Sequence, residues 1–343
     1  MSSEIIYQTM DELYLEIKKT DTDQIPIVVD HAVWSKYSHL FNFKERIPEK
    51  QFIIWKASSG EQCKSFEEFE KCCEFFLNAG IHRNAHLYAI GGGATSDFGG
   101  FVASTLLRGI PWSIIPTTLL SIIDASIGGK VAINSKLGKN LIGAFYPPEK
   151  ILINFNFLET LSPLEMASGM GELLKYGLLD ANINKLIKEQ SDIQTISKAC
   201  AEYKAKITGE DLREHGDRVF LNLGHSFGHG IEKIYDIPHG IAVVWGMQVI
   251  GVLFDQPVIL QELASMIHAL QLEIVSPPWL NKTFPQLELI EFMNKDKKKQ
   301  NKDQIQLVGI KEVGSPTIIP INIRELGGII QEKAKLLKTF SFK

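Results

Sequence analysis

Cysteine is scarce, and no two cysteines stand in a CxxC or zinc-finger spacing. The four in 343 residues are Cys63, the adjacent Cys72 and Cys73, and Cys200. Buried free thiols are expected, not a disulfide framework or a thiolate metal site. Excess positive charge is missing as well. A net charge of −4 gives no global basic field for nucleic acid or an anionic membrane, so any anion must be gripped by a few converging Lys and Arg side chains. No hydrophobic run reads as a membrane span: 110–129 is interrupted by Pro111, Pro116 and Asp124, and 241–254 is too short. The opening MSSEIIYQTMDELYLEIKK carries acids and no continuous apolar segment, which argues against a signal peptide. A cytoplasmic protein without membrane or nucleic-acid partners is expected. Internal repeats and low-complexity linkers are absent too.

What is present is the balance of a globular chain, 45% hydrophobic and 22% charged, at a length that suits two domains. In the first half, β-rich runs at 25–30, 51–57, 86–93 and 112–118 alternate with helical patterns, which predicts a mostly parallel sheet. Between the second and third runs, Ser65 reads as an N-cap and Glu68 as its capping-box partner. Phe66, Phe69, Cys73 and Phe76 form an apolar stripe, and Gly80 suits the C-terminal cap. After about Asn156 helices dominate. Ser162, Pro163 and Glu165 start one, and others follow at 193–206, 224–235, 240–254 and 258–270. IQLVGI and SPTIIPI suggest a late hairpin, before a last helix near 324–340. The expected class is α/β: an α/β domain at 1–156 and a mainly α-helical domain at 157–343.

AIGGGATSDFGG follows a strand and opens a helix. Gly91, Gly92 and Gly93 would let phosphate approach the helix N-terminus, but Ser96 replaces the third glycine of the dinucleotide fingerprint. The motif fits a pyrophosphate cradle and a tight turn equally. Asp97 favours a function there, with helix capping as the alternative.

Glu172, His225 and His239 read together as a catalytic metal set: two imidazoles and a carboxylate, with one coordination position left open. His225 and His229 are four apart on one helical face, a spacing that alone is often coincidence. Asn222 precedes His225, and His239 opens a helix after Pro238. Lys175 stands three residues beyond Glu172, where a surface salt bridge is the plain alternative. DASIGGKVAINSKLGKN brings Asp124, Lys130, Lys139 and Asn140 among small residues with little to form a core. Lys204, Arg218 and the run Lys297, Lys298, Lys299 add charge. Arg218 would sit about two turns before His225, if that helix extends so far, and could grip a carboxylate bidentately.

With these residues set out, the chain resembles the 3-dehydroquinate synthase family. IPTTLLSIIDASIGGK, LGKNLIGAF, GMGELLKYG, LNLGHSFGHGIE and PHGIAVVWGM follow the family's motif order across roughly 61–298. The resemblance implies a Rossmann-like nucleotide-binding domain at 1–156, a mainly α-helical metal and substrate domain at 157–343, and a homodimer that uses NAD and Zn2+, with Co2+ as a substitute. Glu172, His225 and His239 would be the metal ligands. Lys130, Asn140, Lys175, Lys204, Arg218, Asn222, His229 and one or both of Lys297 and Lys298 would line the substrate pocket, and Arg108 would reach the neighbouring subunit's site. For NAD it points to Asp30, Glu61, Lys64, the turn from Gly91 to Asp97, Thr117, Thr118, Asp124, Lys139 and Asn140. The implied substrate is 3-deoxy-D-arabino-heptulosonate 7-phosphate. Transient oxidation acidifies a C–H, phosphate leaves, the hydride returns, and ring opening and aldol closure give the carbocycle. Ser96, Gly99, Gly171, His31 and Asp211-Leu212 depart from the family's usual residues.

Alcohol and glycerol dehydrogenases of the same fold share a GGG turn and paired histidines. Their upstream ligands resemble an Asp followed four residues later by His, where this chain has Glu172 and Tyr176. A related sugar phosphate cyclase is a second alternative, and a non-catalytic NAD-binding regulator a third.

Overall fold

The computed structural model describes residues 3–273, 276–280, 282–295 and 304–339. The chain divides into two units, Met1–Ser162 with Lys204–Arg213, and Pro163–Tyr203 with Glu214–Lys343.

The first unit contains β1 (Glu4–Tyr7), α1 (Met10–Lys19), β2 (Gln24–Asp30), α2 (His31–Tyr37), α3 (Phe43–Arg46), β3 (Gln51–Ala57), α4 (Phe66–Asn78), β4 (Leu87–Gly91), α5 (Gly93–Thr105), β5 (Trp112–Pro116), β6 (Lys130–Ser135), β7 (Gly138–Phe145) and β8 (Lys150–Ile153). Six strands form a parallel sheet in the order β1-β8-β5-β4-β2-β3. Every residue of β2, β4 and β5 is buried, as expected of central strands covered on both faces. From β2 the chain steps to β3 on one side and to β4 and β5 on the other. That reversal opens a crevice at the carboxyl ends of β2 and β4, the usual ligand position in such sheets.

The four expected strands are present; β1 and β8, four residues each, are too short for periodicity to register. The segment expected to lack core is corrected. Residues 130–145 form the β6–β7 hairpin, with Val131, Ala132 and Ile133 buried. Ser65 caps α4 by accepting the Glu68 N–H at 3.1 Å. The reciprocal half of the expected capping box is replaced: the Glu68 carboxylate accepts from Trp55 Nε1 at 3.1 Å and the Ser58 N–H at 3.2 Å, tying the helix to β3. Phe66 is exposed, and Cys72 joins Phe76 on the buried face in its place. Cys63, Cys72 and Cys200 are buried free thiols and Cys73 is half-buried. Burial pushes Cys63 up to about 12.

The second unit contains α6 (Pro163–Leu179), α7 (Ala181–Lys188), α8 (Ile193–Glu210), α9 (His225–Tyr235), α10 (His239–Leu253), α11 (Pro257–Ala269), α12 (Gln286–Lys295), the antiparallel hairpin β9 (Gln304–Glu312) and β10 (Ser315–Asn322), and α13 (Ile323–Thr339). From Lys204 onward α8 belongs with the first unit. The helix α7 was not expected; Asp180 starts it by accepting the Ile183 N–H at 2.9 Å. Apolar all round, α10 is buried almost throughout and packs against α6, α9, α11 and α13. Among the described residues no helix is long and apolar enough to cross a membrane.

Candidate active site

Glu172 sits on α6, His225 and His239 at the first positions of α9 and α10, and His229 one turn into α9. All four meet in the second unit. His225 Nε2 lies 3.6 Å and His239 Nε2 3.4 Å from Glu172 Oε1. Ligand atoms about 2.0–2.1 Å from a tetrahedral zinc stand roughly 3.3 Å apart, so Glu172 is already near coordination spacing from each imidazole. The ring nitrogens of His225, His229 and His239 lie within 4.8 Å of one another. Each inward-facing ring is held from behind: His225 Nδ1 lies 3.1 Å from the Leu223 carbonyl oxygen, and His239 Nδ1 lies 2.9 Å from Glu232 Oε2. Burial alone would lower the His239 pKa, but hydrogen bonds to Glu172 and Glu232 outweigh it and raise it to about 10. The two carboxylates thus favour a positive charge at this spot, which suits it to a cation.

Lys175 pairs with Glu172 through Oε2. The pair is interior, at 1% and 0% side-chain exposure, so the surface salt bridge considered above is corrected to a buried one. Arg218 is buried in the 3-10 turn Asp217–Asn222. Asn222 donates to Glu214 Oε1 at 2.6 Å. The helix does not extend back to Arg218: it starts at His225, as the expected 224–235 had it, and Gly224, with φ of +80°, breaks the chain direction between turn and helix.

A second polar cluster occupies the carboxyl edge of the first unit's sheet. Asp30, closing β2, accepts from the Ala32 N–H at 2.7 Å and Ser59 Oγ at 2.8 Å, and from Thr95 Oγ1 of α5 at 3.4 Å. Gly91 ends β4, Gly92 precedes α5 and Gly93 opens it; among the described residues no side chain caps that helix. Asp97 does not cap it either. Its Oδ2 accepts from the buried Lys64 Nζ at 2.6 Å, and the same ammonium donates to Asn140 Oδ1. Burial pushes the Asp97 carboxyl up, and Lys64 opposes that. The Asn140 N–H donates to Asn134 Oδ1 at 3.0 Å, and Asn134 Nδ2 to Glu61 Oε2 at 2.7 Å. Thr118 Oγ1 accepts the Ser121 N–H at 3.1 Å. The buried Thr117 Oγ1 has no hydrogen-bond partner among the described residues. Such a hydroxyl beside a glycine turn suits a ligand that supplies one. Asp124 lies in the π-helical turn Ser121–Ala125 and pairs with Lys204 at 2.8 Å.

Residues 54–168 match the family description "3-dehydroquinate synthase N-terminal", and residues 169–299 match "3-dehydroquinate synthase C-terminal". A 3-dehydroquinate synthase of Staphylococcus saprophyticus is 37% identical over 330 residues, covering 91% of this chain and 89% of the relative. The chain belongs to the 3-dehydroquinate synthase family. Two solved structures share its fold at 22% identity. One is 2-epi-5-epi-valiolone synthase from Streptomyces hygroscopicus subsp. jinggangensis with NAD+ and Zn2+ bound, at a TM-score of 0.82 and 98% of each chain. The other is 2-deoxy-scyllo-inosose synthase complexed with carbaglucose-6-phosphate, NAD+ and Co2+, at 0.79 and 96% of each chain.

Some candidates of this family member lie exposed. Lys130 and Lys139 are exposed on the β6–β7 hairpin. Arg108 is exposed on a turn with φ +70°, past the end of α5 remote from the glycines. Lys297, Lys298 and Lys299 lie outside the described residues. Glu232, Asn134 and Glu214, which bond to candidate residues, escaped the sequence reading because nothing in spacing alone ties them to His239, Asn140 and Asn222.

Proposed function

We infer that this family member is a cytoplasmic 3-dehydroquinate synthase, a phosphate-eliminating carbon–oxygen lyase of the shikimate pathway serving aromatic amino acid biosynthesis. It converts 3-deoxy-D-arabino-heptulosonate 7-phosphate to 3-dehydroquinate and phosphate and acts as a homodimer. The observation that carries this reading is the meeting of Glu172 with His225 and His239, with Lys175 on the other carboxylate oxygen. Free thiols accord with a reducing compartment, and family likeness supports the dimer, with Arg108 its contribution to the neighbouring subunit's site.

Residues 1–156 would form the NAD-binding domain and 157–343 the metal and substrate domain. Glu172, His225 and His239 would hold Zn2+ or Co2+; the donor set fits in chemistry and spacing. NAD would rest on Asp30, Glu61, Lys64, Gly91, Gly92, Gly93, Asp97, Thr117, Thr118, Asp124, Lys139 and Asn140, where Thr117 Oγ1 offers an unused hydrogen bond. When bound, the two groups supply a Lewis acid for a substrate hydroxyl and a reversible hydride acceptor.

The remaining work falls to the chain's own side chains. Lys175 and Arg218 are buried cations, so their attraction for substrate carboxylate and phosphate is weakly screened. Lys130, Asn140, Lys204, Asn222 and His229 would add hydrogen bonds, with Lys297 or Lys298 closing the set. Fixing both anionic ends orients the sugar for elimination, and with phosphate able to act as its own base, positioning is the protein's main task.

The test incubates metal-loaded protein with the heptulosonate phosphate and catalytic NAD, following phosphate, dehydroquinate and absorbance at the NADH band. Phosphate and dehydroquinate without net NADH support the reading. Steady NADH formation from simple polyols, with no phosphate release, would replace it with a dehydrogenase.

A further inference from the structure

We propose that Glu232 is a positioning residue for the metal site: its carboxylate fixes the His239 ring so that Nε2, not Nδ1, is presented to Glu172. The inference rests on the metal reading above. An imidazole whose two nitrogens are equally free can turn over about its ring bond and offer either one; a hydrogen bond to one nitrogen removes that choice. Both inward rings have such a bond. That of His225 comes from the Leu223 main-chain carbonyl at 3.1 Å, which no side-chain substitution removes. That of His239 comes from Glu232 Oε2 at 2.9 Å, a contact that depends on one side chain.

The place of Glu232 supports the assignment. It lies in the last turn of α9, where the helix dipole disfavours an acid, so a carboxylate there needs a compensating partner. His239 supplies one, seven residues on and beyond the turn 236–238. The two helices are also locked against sliding: a Cβ on Gly246 of α10 would stand 2.0 Å from the Gly224 carbonyl oxygen just before α9. Acid and ring therefore keep a fixed register.

The test compares unaltered protein with Glu232→Ala and Glu232→Gln. Zinc affinity is measured by competition with a chromophoric chelator. Nitrogen–cadmium couplings are read by NMR on 15N-histidine protein loaded with 113Cd. The Ala variant should lose about 10–100-fold in zinc affinity, and its His239 coupling should no longer belong to Nε2 alone. The Gln variant, whose amide oxygen still accepts from Nδ1–H, should stay within a few-fold of the unaltered protein and keep the single Nε2 coupling. His225 should be unchanged in both. Unaltered zinc affinity and a pure Nε2 coupling in Glu232→Ala would overturn the inference and leave the metal reading intact. Failure of the unaltered protein to take up either ion would overturn both.

Discussion

A Cβ on Gly171 would stand 2.1 Å from the carbonyl oxygen of Gly240. These glycines neighbour Glu172 and His239, so α6 and α10 come close together where carboxylate meets imidazole. Gly171→Ala must force the helices apart. It should lower stability by about 1–3 kcal/mol, as overpacking does, and weaken zinc binding through a wider Glu172–His239 gap. A urea midpoint and chelator competition measure the two effects; an unmoved midpoint would mean the helices part without cost.

Glu172→Gln should abolish turnover and release the metal. It also removes the ion-pair partner of the buried Lys175 ammonium, a loss worth roughly 3–5 kcal/mol. Glu172→Gln with Lys175→Met should recover much of that stability without recovering metal. Denaturant unfolding beside metal analysis separates the roles, and full activity in the single variant would remove the carboxylate from the site.

Much of this was legible because each motif carried its own local physics. β-branched runs marked the central strands, Ser65 and Pro163 marked helix starts, and His225 and His239 both open helices. What escaped depended on tertiary partners. Glu68 had the right spacing for a capping box, yet Trp55 and Ser58 compete for its carboxylate. Val131 and Ile133 looked too few for a core until β7 paired with them. The start of α9 was legible at Gly224, but the 3-10 turn that carries Arg218 and Asn222 had no periodicity to announce it.

Lys64→Met should disable NAD binding and destabilise the first unit by about 2–4 kcal/mol, since its ammonium serves both the partly buried Asp97 and Asn140. The Asp97 carboxyl, already raised by burial, should rise further. Calorimetric NAD titration and urea unfolding give the two readouts, and pairing the change with Asp97→Asn should restore stability but not NAD affinity.

His86 governs a pH response. Its Nε2 lies 2.8 Å from Ser113 Oγ and its Nδ1 3.8 Å from Glu149, a triad-like set in which Ser113 is wholly buried and so no nucleophile. Burial, with Lys150 adding to it, lowers the His86 pKa from 6.5 to about 4. The unfolded chain therefore takes up the proton first. The stabilisation is complete above pH 6.5 and is lost as pH falls toward 4, by about 3 kcal/mol at most. His86→Asn should flatten that part of the stability–pH curve; an equal slope in both proteins would place the acid sensitivity elsewhere.

The left-handed residue at Gly224 separates two inheritable traits. Arg218 and Asn222 ride on the short turn before it, while the imidazoles begin after it. With the roles proposed above, substitutions in that turn would retune which anion the protein prefers and leave its hold on a metal in place, a route by which one trait could diverge at a time.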